Sequence, residues 1–69
     1  MERTVPVYDS SYQLLGSYST RALAMEEAER RAGEGATCRI ERLGNAVIAV
    51  YSGPHGQFAA ADGARPVFF

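Results

Sequence analysis

The sequence predicts an α+β fold: an antiparallel sheet of four to five strands with one α-helix packed on one face, in the order ββαββ(β). Three observations predict it. Two strand-like runs, Thr37–Leu43 and Ala46–Tyr51, flank a Gly44-Asn45 step. Two residues suited to positive φ between such runs read as a tight antiparallel hairpin. Residues 21–32 are rich in Ala, Glu, Arg, Leu and Met, all good helix formers. Most connections are short, so consecutive strands are expected to lie antiparallel.

Each element follows from its own residues. Thr4–Tyr8 alternates, with Val5 and Val7 on one side. Pro6 cannot donate to a ladder, so this is an edge strand or the start of a strand. Asp9-Ser10-Ser11 is turn chemistry. Gln13–Tyr18 resumes an extended pattern, with Leu14 and Tyr18 expected on one face and Leu15 on the other. Ser19 or Thr20 offers the helix N-cap. In the helix, Glu26 with Arg30 and Glu27 with Arg31 are i,i+4 pairs of the favourable order. Gly33 can take the left-handed position that ends the helix. Ala24, Met25, Ala28 and Ala32 form one stripe. Small residues let the helix lie close on a sheet, and Met25 fills the irregular gap. Leu23 lies on the opposite side of the wheel. It is either covered by a neighbouring loop or a contact for a partner.

The hairpin fixes a register. With Gly44-Asn45 as the loop, Arg42 faces Val47, Ile40 faces Ala49 and Cys38 faces Tyr51 on the side expected under the helix. Leu43 faces Ala46, Glu41 faces Ile48 and Arg39 faces Val50 on the other side. That second face is half apolar, and only the C-terminal segment is left to cover it. Ser52–Gln57 holds two Gly and a Pro and reads as a loop. Phe58–Ala61 is a short strand, Asp62-Gly63 a turn, and Val67-Phe68-Phe69 a last strand with one Phe inward and one outward. Leaving those rings in water would forgo about 1.5–3 kcal/mol of burial each.

Sixty-nine residues make one domain, in which a chain buries only ~60% of its unfolded surface. That leaves no room for a deep cleft between lobes and argues against an enzyme. Seven Arg, no Lys and eight acidic residues give a net charge of −1. A weakly acidic domain has no electrostatic reason to bind nucleic acid directly. One cysteine forms no internal disulfide, so the framework of a tiny secreted protein is lacking and a cytoplasmic location is the default expectation. No apolar run follows Met1-Glu2-Arg3-Thr4 at signal-peptide length, and none approaches the ~20 residues of a membrane span.

Few residues could carry chemistry. His55, the single imidazole, sits in Ser52-Gly53-Pro54-His55 with no nucleophile signature beside it. Cys38 and His55 together do not make a tetrahedral metal site. No catalytic residue, metal or cofactor is therefore expected. The glycines match no phosphate-binding loop. Glu26, Glu27, Glu29 and Glu34 surround the helix with negative charge. They either solvate it or meet a basic partner. Tyr12 lies at an expected hairpin tip, and Tyr is enriched at interface hot spots.

The linear plan of Ser19-Thr20-Arg21-Ala22-Leu23-Ala24, then Cys38-Arg39-Ile40-Glu41, the aliphatic strand ending at Tyr51 and the Asp62-Gly63 turn resembles small phage-encoded anti-CRISPR proteins. The likeness covers roughly residues 19–63 as a pattern of elements. It implies a stoichiometric inhibitor in the host cytoplasm. Such an inhibitor would bind a Cas subunit of a type I surveillance complex and block target DNA recruitment, sterically or by placing acids where phosphates should lie.

The leading expectation is a non-enzymatic protein-binding inhibitor that contacts its partner through Tyr12, Glu26, Glu27, Glu29, Arg39, Glu41, Ile48 and Val50. The alternative is a small self-associating structural or assembly protein, a homodimer without an outside ligand. A small enzyme using His55 is the third.

Overall fold

The computed structural model describes residues 4–68. The elements run β1 (Val5–Asp9), β2 (Leu14–Tyr18), α1 (Arg21–Ala32), β3 (Thr37–Leu43), β4 (Ala46–Gly53) and β5 (Gly56–Asp62). The five strands form one antiparallel sheet in the order β2-β1-β5-β4-β3. The helix packs on one face, as the sequence predicts. Met1-Glu2-Arg3 and Phe69 lie outside the described residues, so the expectations placed on them have no counterpart here.

Asp9 builds the first turn. Its Oδ1 accepts the N–H groups of Ser11 and Gln13 at 2.9 and 3.0 Å. The Tyr12 N–H donates to the Asp9 carbonyl at 2.9 Å, and the Asp9 N–H to the Gln13 carbonyl at 3.2 Å. Tyr12 closes the turn at φ 64. A turn followed by one left-handed residue is a favoured three-residue hairpin loop, and Gly or Asn would be its usual occupant.

One expectation for this hairpin is narrowed and one corrected. β1 is an interior strand between β2 and β5, so of the two readings of Pro6 the start of a strand is the one met, Pro6 being the second residue of β1. Pro6 is tolerated because the β1–β5 ladder begins one residue later, at Val7 opposite Ala60. In β2 the register shifts, with Val7 opposite Gly16 but Tyr8 opposite Leu14. The extra residue in that bulge is Leu15. Leu15 therefore packs with Tyr18 against the helix-side core, whereas Leu14 stands exposed. Strict alternation had put Leu14 with Tyr18.

Thr20 is the N-cap of α1, its Oγ1 accepting the Leu23 N–H at 3.1 Å. Ala24, Ala28 and Ala32 are each 0% exposed, and Met25 is partly buried beside them. The core on this side joins them to Val5, Val7, Ala49, Tyr51 and Ala60. Arg21 anchors the start of the helix. Its Nη2 and Nε lie 2.8 and 2.9 Å from Oδ2 of Asp62, which is buried at the end of β5. A charge-assisted fork of this kind fixes orientation as well as adding energy. At the other end Gly33 takes φ 104 and donates to the Glu29 carbonyl.

The β3–β4 register matches the sequence reading at every pair, from Leu43 opposite Ala46 to Cys38 opposite Tyr51. Only Gly44 of the turn has positive φ, at 62°, the pattern of a type II′ turn. Ser52–Gln57 is not a loop. β4 and β5 continue through it to Gly53 opposite Gly56, and Pro54-His55 alone makes the turn. The turn is drawn onto the helix end. The His55 N–H donates to the Ala32 carbonyl at 2.9 Å, and a Cβ built at Gly53 would lie 2.3 Å from that same oxygen.

Candidate protein-binding surface

The second sheet face is closed by the chain itself. After Gly63 the backbone turns and lays Ala64 and Phe68 against Ile48, Val50 and Ala59. Pro66 is fully buried, and Ile48 and Val50 are each 4% exposed. Among the described residues two side chains grip the segment. Arg39 Nη2 donates to the Val67 carbonyl at 2.9 Å. The Tyr12 ring meets the Phe68 ring edge-on, centroids 5.4 Å apart at 70°. The segment is an unpaired strap rather than the expected last strand. Pro66 can donate no hydrogen bond to a ladder, and the face beneath offers side chains rather than a strand edge.

This overturns the expectation of an open recognition face. Ile48 and Val50 are core residues under the strap. Arg39 and Glu41 lie at its margin, joined by an ion pair of 2.7 Å between Nη1 and Oε1. Tyr12 stays half exposed but spends one ring edge on Phe68.

The helix-side expectation fails at one strand for a different reason. Cys38 and Ile40 point to the helix side, as their register requires, yet both are exposed, Ile40 by 48%. The helix packs chiefly over β5, β1 and β4, while β3 lies at the sheet edge beyond β4. No residue of the sequence announced which strand would be outermost. The missed signal was the run of small residues in Phe58–Ala61, of which Ala60 lies in the core with the alanines of α1 and Ala59 lies in the core of the opposite face, with β5 at the centre of the sheet.

The acidic residues divide. Glu27 is largely buried and bonds both Arg30 and Arg31, the latter at 3.0 Å. Arg30 thus pairs with Glu27 at i,i+3 and not with Glu26 as expected. Glu26 and Glu29 are exposed and, with Arg30, Glu34 and the Gly33–Ala36 connection, line an open groove of about 450 Å³. Leu23 is 48% exposed.

His55 is exposed on the β4–β5 turn, where its backbone serves the helix end. Among the described residues no group of three His, Cys, Asp or Glu side chains could hold a metal ion. Among the described residues no helix is long and apolar enough to cross a membrane.

What remains outward and able to pair is the rim of β3. In a two-residue hairpin the closing pair exchanges both its hydrogen bonds, and bonded and non-bonded pairs then alternate. Leu43, Glu41, Arg39 and Thr37 therefore bond β4, and Arg42, Ile40 and Cys38 aim their N–H and C=O groups away from the sheet. The strand has seven residues, an unbroken register, no Pro and no bulge. The opposite rim, β2, has five residues, a bulge and Gly16.

No protein-family model, curated protein or solved structure matches the chain.

Proposed function

We propose that this protein works by binding another protein, through strand addition at β3, rather than by catalysis. The observation that carries the reading is the β3 rim. It is an outer strand of seven residues in unbroken register, with outward amide groups at Cys38, Ile40 and Arg42, and with Ile40 48% exposed beside them. Main-chain bonds to such a rim supply affinity, and the alternating side chains supply specificity. The exposed carboxylates Glu26 and Glu29, with Glu34, would favour a partner of basic surface.

The narrower form of the reading is inhibition of a type I CRISPR surveillance complex by occupying a Cas subunit. It is supported by the resemblance of residues 19–63 to phage inhibitors.

Both forms are tested together with the variant Ile40→Pro. Proline removes the outward N–H without touching a bond to β4, so the fold survives while the rim loses its central donor. Immobilised wild-type protein is expected to retain a subunit of a type I complex at micromolar concentration, and Ile40→Pro to lose it. No retention by the wild type removes the narrower reading. Equal retention by the variant removes β3 as the binding strand.

A further inference from the structure

We propose that the occupant of the β3 rim is a second copy of β3, paired antiparallel about a two-fold axis through Ile40. The inference rests on the reading of β3 as a binding strand and names its partner.

The register follows from two constraints. Outward backbone groups belong to Cys38, Ile40 and Arg42, so these residues must face one another in pairs for the hydrogen bonds to form. That leaves registers centred on a single residue and excludes those centred between residues. Charge then separates the register centred on Ile40, the middle residue of the strand, from its two neighbours. With Ile40 opposite Ile40 of the second copy, Arg39 falls opposite Glu41 and Glu41 opposite Arg39, twice across the axis. Shifting the centre by one residue towards the N-terminus sets Arg39 against Arg39. Shifting it towards the C-terminus sets Glu41 against Glu41. Opposite charges directly across strands stabilise a pair and like charges oppose it.

The faces agree with this register. Arg39 and Glu41 project on the strap side, 39% and 42% exposed, already 2.7 Å from each other within one copy. Pairing converts that ion pair into a closed set of four alternating charges. On the helix side the exposed Ile40 side chains meet at the axis, beyond the reach of α1. Cys38 falls opposite Arg42. The charges on β3 would then do two things: support one register and penalise its neighbours, a known means of controlling pairing at sheet edges. The product is a closed, isologous dimer with a continuous ten-stranded sheet, twice the five strands of one copy.

The test is complementation in trans, read by analytical ultracentrifugation. Glu41→Arg brings a second guanidinium opposite Arg39 across the axis, and Arg39→Glu brings a second carboxylate opposite Glu41. Each variant alone is expected to self-associate roughly tenfold or more weakly than the wild type, since like charges meet twice. An equimolar mixture of the two restores opposite charges at both positions and is expected to recover the dimer. Arg39→Glu also deletes the donor to the Val67 carbonyl, so Glu41→Arg, which keeps both partners of that bond though it removes the ion pair beside it, is the decisive single variant. A circular dichroism melt establishes that each is folded.

A wild type that sediments as a monomer at roughly 100-fold the concentration used for capture, about 2.7 kcal/mol of mass action, overturns the second copy. So does a dimer unchanged by Glu41→Arg, or a mixture that stays monomeric. These failures are separable from failure of the binding reading. A monomeric wild type whose partner capture is abolished by Ile40→Pro keeps β3 as a binding strand and assigns it a foreign strand instead.

Discussion

Tyr51 shows how one side chain is tuned by where the register puts it. It is 6% exposed, on the helix side of β4 and opposite Cys38. Burial pushes its phenol up to about 12, helped by a hydrogen bond to the Cys38 sulfur and by negative charge on Cys38 and Glu29. The consequence has a definite sign. Below the ordinary value of 10.0 the phenol is protonated in folded and unfolded chains alike, and stability does not depend on it. Between 10 and about 12 the unfolded chain releases the proton and the folded chain keeps it, so stability falls as pH rises through that window. Urea midpoints measured at pH 9 and pH 11.5 are expected to drop for the wild type and to drop much less for Tyr51→Phe. An equal drop in both would place the alkaline sensitivity elsewhere.

Among elements, the end of α1 and the β4–β5 turn make an especially close contact. At Gly53 the difficulty is space, because a Cβ would stand 2.3 Å from the Ala32 carbonyl oxygen, a backbone atom that cannot swing away. At Gly35 the space is open and only the φ of 82° resists a side chain. Gly53→Ala is therefore expected to cost about 1–3 kcal/mol through displacement of the helix end. Gly35→Ala should cost about 1 kcal/mol through backbone conformation alone. Thermal melts of the two variants side by side check the order, and a Gly53→Ala protein as stable as the wild type would show that the approach is looser. Neither constraint was legible in the sequence, where both glycines read simply as turn residues. Local chemistry was legible: the cap, the alanine stripe and the Gly44-Asn45 hairpin, whose register followed from loop length and alternation. What could not be read was non-local. The Leu15 bulge breaks alternation without a marker residue. The rank of the strands, which leaves Ile40 outside the helix's cover and encloses Ile48, depends on contacts between segments far apart in sequence. The acids of α1 were legible as a surface, but the pairing of Arg30 with Glu27 in place of Glu26 depends on rotamers that spacing does not choose.

At the scale of the whole molecule, a five-stranded sheet has two faces and α1 can shield only one. The strap supplies the second cover with very few residues, and it does so by side chains and the grips of Arg39 and Tyr12 rather than by a ladder. Burial of Pro66, and the packing of Ala64 and Phe68 over Ile48, Val50 and Ala59, drive it down. Ordering its backbone opposes this by about 1–2 kcal/mol per residue, so its net contribution is far smaller than its contact area suggests. Removing residues 64–69 is expected to lower the unfolding free energy by an amount on the order of 2 kcal/mol, about what burying one large apolar side chain is worth. It should also expose a patch that binds an apolar dye. Phe68→Ala should reproduce part of both effects, because it deletes the ring that packs on the face and meets Tyr12. Val67→Ala should reproduce neither, since its half-exposed side chain contributes little and its carbonyl, the group Arg39 holds, is retained. Denaturant titrations with dye binding on the same samples distinguish these outcomes. A truncated chain with unchanged midpoint and no dye signal would mean that the strap does not cover the face in solution. Ile48 and Val50 would then return to the surface as candidates for recognition.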